Sequence, residues 1–276
     1  MRLEEQFRIA AEFVLGGKID LLTNLLEQRP CLASYLEKPD LDGVQNTLLH
    51  YLAISNCKLV NHITAIFHLL LKHGANIHQT NQPKAGETPL HTAIAFQNWP
   101  YCKLLLKAGA QLEDQGRFRQ TIDTALGYFL FYRNQEKEAD KILNLLLRLG
   151  AKMQLPHAAA LGNLSRVKLL SPIKQENFPA EPLQQAFLFA CMNGHKEIAA
   201  YLLNQGAIIN LSIPFFSYEA TALHLACRDG QQKELVEYLI KRGGNPKLED
   251  STTGSSAIGW AMHYGQDQVF EVLMRA

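Results

Sequence analysis

Ten histidines and five cysteines are the residues of this chain best suited to nucleophilic, proton-shuttling or metal chemistry. A Cys–His nucleophile pair needs the two side chains adjacent and a third group to orient the base. In "TALHLACRDG" His224 and Cys227 stand three residues apart, on one face of a helix, and Cys191 holds the corresponding slot in "FACMNG". Both cysteines fall where the local pattern asks for a small residue, so they read as small hydrophobes of a helix core. His68, His73 and His78 recur every five residues, which rotates them around a helix and does not gather them for metal. The cysteines Cys31, Cys57, Cys102, Cys191 and Cys227 are odd in number and never form C-x-x-C. That disfavours a zinc site and a disulfide framework and suits a reducing, cytoplasmic compartment. Glu197, Glu234 and Glu237 sit singly on helix faces, and "LGGK" at 15–18 lacks the frame of a phosphate loop. The residues therefore predict no catalytic set, no metal site and no cofactor.

The totals narrow the partners. Lys and Arg number 27 against 26 Asp and Glu, a net charge of +1, which supplies no basic footprint for nucleic acid and no polybasic surface for a membrane. Glu4 and Glu5 interrupt the N-terminal stretch, so a signal peptide is not expected. The apolar run "ALGYFLFY" at 125–132 is far too short for a membrane span. At 47% hydrophobic residues, the chain has ample material for a core.

What would position any site is a repeat. Aligning on a Thr or Ser places Thr47 ("TLLH"), Thr88 ("TPLH"), Thr124 ("TALG"), Thr221 ("TALH") and Ser256 ("SAIG") in register, six periods of about 35 residues. A second marker follows each: "HGAN" at 73–76, "AGAQ" at 108–111, "LGAK" at 149–152, "QGAI" at 205–208 and "RGGN" at 242–245. Between the markers lie two apolar stripes at helical spacing, such as Leu223, Ala226, Cys227 and then Leu235, Val236, Leu239, Ile240. Gly230 separates these stripes, and Gly243 follows the second, where a left-handed helix cap is expected.

On these residues the chain resembles the ankyrin repeat: "TPLHTAIA", "TALHLACRDG" and "NGHKEIAAYLLNQGA" carry the match, and it recurs along nearly the whole length. The resemblance implies an all-α solenoid of about eight helix–turn–helix units with short β-hairpin or loop fingers, spanning 1–276 as one domain. The units run over about 3–36 (an N-terminal cap), 47–78, 88–112, 124–152, 155–172, 185–210, 221–245 and 256–276. It implies that the Thr and His of each start tie helix to turn. The fifth unit departs from the pattern, ending in "LLSPIKQENFPAEP", and the last stops at "FEVLMRA" without a polar cap. The order of units also resembles bacterial ankyrin proteins of unassigned chemistry.

Repeat solenoids bind through fingers and inner helices, and interface anchors are commonly aromatic residues and Arg. Three places meet that description. The finger "IINLSIPFFSYEA" carries Phe215, Phe216 and Tyr218, and the finger before the fourth unit carries Arg117, Phe118 and Arg119. The pair before the inner turn supplies Met192 and Asn193, Arg228 and Asp229, and His263 and Tyr264, which the repeat frame points outward. The expected function is a non-enzymatic scaffold holding a protein partner, acting in the cytoplasm, or in a host's if the chain is a bacterial effector. The alternative is the recognition part of an enzyme whose catalytic domain lies elsewhere. The chain is expected to be a monomer unless its C-terminal end pairs.

Overall fold

The computed structural model describes residues 2–40, 43–55, 60–82, 86–114, 124–132, 137–171, 180–215, 218–228 and 232–276. They form two compact units, residues 1–152 and 153–276. The first holds helices α1 (Leu3–Leu15), α2 (Ile19–Gln28), α3 (Leu48–Ile54), α4 (Val60–Lys72), α5 (Pro89–Ala95), α6 (Trp99–Lys107), α7 (Ala125–Tyr132) and α8 (Lys137–Arg148), with a 3-10 turn at Pro30–Ser34. The second holds α9 (Leu155–Ala160), α10 (Leu164–Leu170), α11 (Ala180–Met192), α12 (Lys196–Asn204), α13 (Ala222–Ala226), α14 (Lys233–Lys241), α15 (Ala257–His263) and α16 (Asp267–Met274). Strands β1 (Ile213–Phe215) and β2 (Tyr218–Ala220) pair antiparallel, Ile213 opposite Ala220, as one finger of the second unit.

Odd-numbered helices form an inner row and even-numbered helices an outer row. In the first unit α1, α3, α5 and α7 each pack on the next, as do α2, α4, α6 and α8; in the second, α9 to α15 and α10 to α16 do the same. A helix lying between two inner neighbours and an outer one must be apolar all round. The run expected to be too short for a membrane, α7, is an inner helix packed on α5 and α8, and in it every residue from Ala125 to Phe131 is buried. Outer helices keep a wet face. In α8, Ala139, Ile142 and Leu146 are buried, while Glu138 forms ion pairs with Lys103 and Lys141. Each fully buried aliphatic side chain contributes roughly 1.5–3 kcal/mol. The small residues Ala190, Cys191, Ala226 and Cys227 are all buried, which lets inner helices approach closely.

Outer helices stop where the sequence places glycine. Gly206 and Gly243 take φ of +106° and +92°, and the next residue's N–H reaches back to the helix, Ala207 to the Leu202 carbonyl and Gly244 to that of Leu239. That six-residue closure satisfies carbonyls the helix leaves open. Gly230, the loop after the fifth unit (172–179), Cys57 and much of the linker before α7 lie outside the described residues.

Candidate protein-binding face

The inner helices start on a repeated turn. Thr47, Thr88 and Thr221 hold extended backbone at the N-cap, and the His three residues on folds back over each. Nδ1 of His224 accepts the Thr221 N–H at 3.2 Å and lies 2.8 Å from its hydroxyl. His50 and His91 repeat the arrangement at 3.3 and 2.9 Å. Because Nδ1 accepts, the ring proton sits on Nε2. It is donated across to the next unit: Nε2 of His50 lies 3.0 Å from the Glu87 carbonyl, and that of His224 lies 3.1 Å from the Ser255 carbonyl. Burial drives the His50 and His91 pKa values down to about 4, against weaker upward pulls from the Glu87 and Asp114 backbones. His224 is shifted downward for the same reason, its burial opposed mainly by the Ser255 carbonyl.

A second set of bonds, invisible in the sequence pattern, joins successive units from behind. The N-cap residue of an outer helix donates to carbonyls at the end of the inner helix one repeat earlier. Asn98 Nδ2 reaches Leu52 and Ala53 at 3.3 and 3.1 Å, His195 Nε2 reaches Ala160 at 3.1 Å, and Gln232 Nε2 reaches Met192 at 2.9 Å.

These two sets of bonds fix the inner-helix ends, where the expected binding pair stands. Met192 does not face outward as expected. It is 1% exposed, because Arg228 of the next unit lies over it with a guanidinium nitrogen 3.5 Å from its sulfur. Asn193 is half-buried and donates to the Phe189 carbonyl at 2.9 Å. Arg228 and Tyr264 are half-buried and His263 is exposed, the last two rings in edge contact at 4.9 Å. Phe215 and Tyr218 belong to the β1–β2 hairpin, their backbones opposite one another. Phe216, Asp229, Arg117, Phe118 and Arg119 lie outside the described residues. One aromatic was missed. Phe96 stands at the repeat position of Tyr264 and is 62% exposed. The repeat glycine that marks this position elsewhere is Gln97 here, which holds a left-handed φ of +55° with its side-chain amide donating to the Tyr132 carbonyl at 2.8 Å.

At the start of α15 the described surface opens into a cleft of about 320 Å³, lined by Thr253, Ser255, Gly259, Trp260, His263 and Tyr264. Its wall is held from behind by Asp250. That carboxylate accepts the backbone N–H of Thr252, Thr253 and Ser255, the Thr253 hydroxyl and, at 3.0 Å, the indole N–H of Trp260. Burial alone would raise the Asp250 pKa; the bonds from Thr253, Trp260 and Ser255 outweigh it and hold it at about 2.

Comparison with known proteins agrees with this geometry. The family model described as ankyrin repeats (3 copies) matches residues 7–116 and 155–250, more than half of the chain. The chain is an ankyrin-repeat protein. It is 28% identical over 186 residues to "Ankyrin repeat and KH domain-containing protein mask-1" of Caenorhabditis elegans. That match covers 66% of this chain and only 7% of the relative's length. Ankyrin repeats generally mediate protein–protein interaction.

The chemistry of the repeats fits the scaffold roles read for Cys191 and Cys227. Burial raises the thiol pKa of both, Cys227 to about 12, so the reactive thiolate is disfavoured. The Cys227 thiol lies 3.0 Å from the Leu223 carbonyl, while the nearby His224 is engaged at Nδ1 by the Thr221 turn and at Nε2 by the Ser255 carbonyl. Among the described residues no three His, Cys, Asp or Glu side chains cluster as metal ligands. Among them, too, no helix is long and apolar enough to cross a membrane.

Proposed function

We propose that these ankyrin repeats are a non-enzymatic scaffold that binds a protein partner through the ends of its inner helices and the adjoining fingers. One observation carries this reading. At the two repeat positions just before the inner turn, Phe96 in the first unit and His263 and Tyr264 in the second reach solvent, and Arg228 in the second is partly exposed. Most of the residues before them on the same helices are core. Aromatic and Arg side chains of this kind anchor protein interfaces, and a net charge of +1 favours a protein over a polyphosphate. Phe215, Phe216 and Tyr218 on one finger, Arg117, Phe118 and Arg119 on another, and Asn193 and Asp229 beside Arg228 belong to the same reading. A partner from a host cell, as for a bacterial effector, would show in the identity of the captured protein.

The test is capture of partners by the full chain, identified by mass spectrometry, followed by affinity and melting measurements on Phe96→Ala, Arg228→Ala and Tyr264→Ala. A true anchor loses about 2 kcal/mol of binding, about thirtyfold, with the fold intact. For the hairpin, Phe215→Ala distinguishes binding from packing: lower melting temperature with unchanged affinity would remove that finger from the interface. If all the variants bind as the wild type does, the reading fails.

A further inference from the structure

The outer row of the first unit carries a charge pattern that the second lacks. Helices α4, α6 and α8 hold six Lys or Arg residues against two acids, Glu138 and Asp140, both in the first turn of α8. The outer helices of the second unit, α10, α12, α14 and α16, hold five of each sign. At the acidic end of α8 the charges are matched, Glu138 holding Lys103 and Lys141. The other end of the row has no such match. Lys72, Lys107 and Arg148 each stand two residues before a left-handed glycine, Gly74 (φ +90°), Gly109 (+87°) and Gly150 (+96°). One closure follows in all three: Ala75, Ala110 and Ala151 donate to the carbonyls of Leu70, Leu105 and Leu146. The three cations therefore hold one repeated position on successive, mutually packed helices. All three are exposed, and among the described residues none forms an ion pair. Glu113, in the turn after α6, accepts the Lys152 amide at 2.9 Å instead. A cation at a helix C-terminus is favourable in itself, but the fold does not require one there. In the second unit the same position holds Asn204 in α12 and Lys241 in α14, and the neighbouring Arg242 is tied to Tyr238 and Asn204. Helix α2, which starts the row, carries the acids Asp20 and Glu27 and ends without a glycine.

We propose that Lys72, Lys107 and Arg148 form a second docking surface, on the outer helices, for an acidic segment of a protein partner held in extended, polyproline-II-like form. This surface is separate from the inner-helix ends and does not depend on them. Its spacing suits that occupant. Packed helices stand about 8–10 Å apart, so the three charges recur at about that interval. A polyproline-II strand advances about 3.1 Å per residue with three residues per turn, which brings every third side chain to one face at about 9.3 Å. Carboxylates at i, i+3 and i+6 therefore meet the row in register. A nucleic-acid strand carries a charge about every 3.4 Å, and two of every three phosphates would find no cation. Recognition of an anionic membrane takes clusters of about four to eight cations, more than this row presents.

The probe is a peptide of four Glu-Pro-Pro triplets, titrated into the full chain at low ionic strength while the backbone amides of Lys72, Lys107 and Arg148 are followed by NMR. Saturable shifts at the row are expected, at least about tenfold weaker for Gln-Pro-Pro triplets, since exposed ion pairs are individually modest and here act together. A peptide with its four Glu in one block should bind at least about threefold less tightly, because its charges miss the register. Combining Lys107→Gln with Arg148→Gln should lower affinity at least about fivefold and leave the fold intact. Lys241→Gln, at the same repeat position in α14, should leave affinity unchanged. No saturable shift, equal binding of the Gln or block peptide, or an unaffected double variant would overturn the proposal. Tighter binding of an oligothymidylate or of phosphatidylserine vesicles than of the spaced peptide would overturn it too, making the row a phosphate surface. Phe96→Ala should bind the peptide as the wild type does, so this proposal and the inner-helix reading fail separately.

Discussion

The turns that begin α13 and α15 have the same backbone and opposite consequences. Before α13, His224 closes the turn, bonds across to Ser255 and lies against Trp260, leaving Thr221 buried. Before α15, Gly259 keeps the helix N-terminus but leaves Ser256 open beside a cleft. Backbone capping and ring bridging are therefore separable functions of one motif. A hydroxyl at the N-cap suffices to start the helix; the imidazole is what locks one unit to the next. Where it is absent the neighbours decide the outcome: Ser256, with Gly259 three residues on, is half-exposed, whereas Thr124, with Gly127 three residues on, is 5% exposed.

The largest effect that separates the two kinds of turn should be acid sensitivity. His50 and His91 titrate near 4 when folded and near 6.5 when unfolded. Below 6.5 the unfolded chain therefore binds more protons, and stability falls as pH drops, until the folded rings protonate near 4. Each contributes about 3 kcal/mol that is present above 6.5 and lost by about 4. Urea unfolding of the chain between pH 7.5 and 4 should show this slope, and His50→Gln with His91→Gln should flatten it. A wild-type slope that begins only below pH 4 would contradict the buried neutral rings.

Next in size is His224→Ala, which removes a buried ring and leaves the Thr221 amide and Ser255 carbonyl without partners. Unfolding free energy should fall by about 2–4 kcal/mol, measured by denaturant titration at pH 7.5. A loss under about 0.5 kcal/mol, the size of an ordinary surface change, would mean the ring does not bridge.

Asp250→Ala tests the wall of the glycine-bearing turn. It strips the acceptor from three backbone N–H groups and the Trp260 indole, and should cost about 1–3 kcal/mol. The Trp260 indole signal should move with it; a fixed signal would show that the indole is placed by packing alone.

The smallest effect has the opposite sign. Gly259→Ala should raise stability by about 0.4–1 kcal/mol, because the backbone is helical, the Cβ fits, and the unfolded chain loses freedom. A decrease would mean that the turn at Ser256 does not share the geometry of Thr221.

Much of this was legible in the sequence. The register of Thr47, Thr88, Thr221 and Ser256 marks the inner-helix starts, and the glycines at 206 and 243 mark the outer-helix ends, because N-cap chemistry and left-handed backbone each restrict residue type. The face was harder to read. Met192 occupies an outward position of the frame and is nonetheless covered, since a flexible thioether packs under whatever the next unit lays across it, here Arg228. Phe96 escaped notice because Gln97 takes the left-handed turn that glycine marks elsewhere. The rearward bonds of Asn98, His195 and Gln232 use three different amino acids for one task, so no residue pattern announces them.

The sequence by itself determined the all-α repeat, the positions of its caps and the near-neutral total charge, because periodicity, capping and charge are local properties of the chain. Only tertiary structure decided which outward positions stay open and where a cleft forms. Those depend on what the following unit places over each turn: Trp260 over His224, Arg228 over Met192. Residues some thirty-six positions apart meet there, and no local pattern records that meeting.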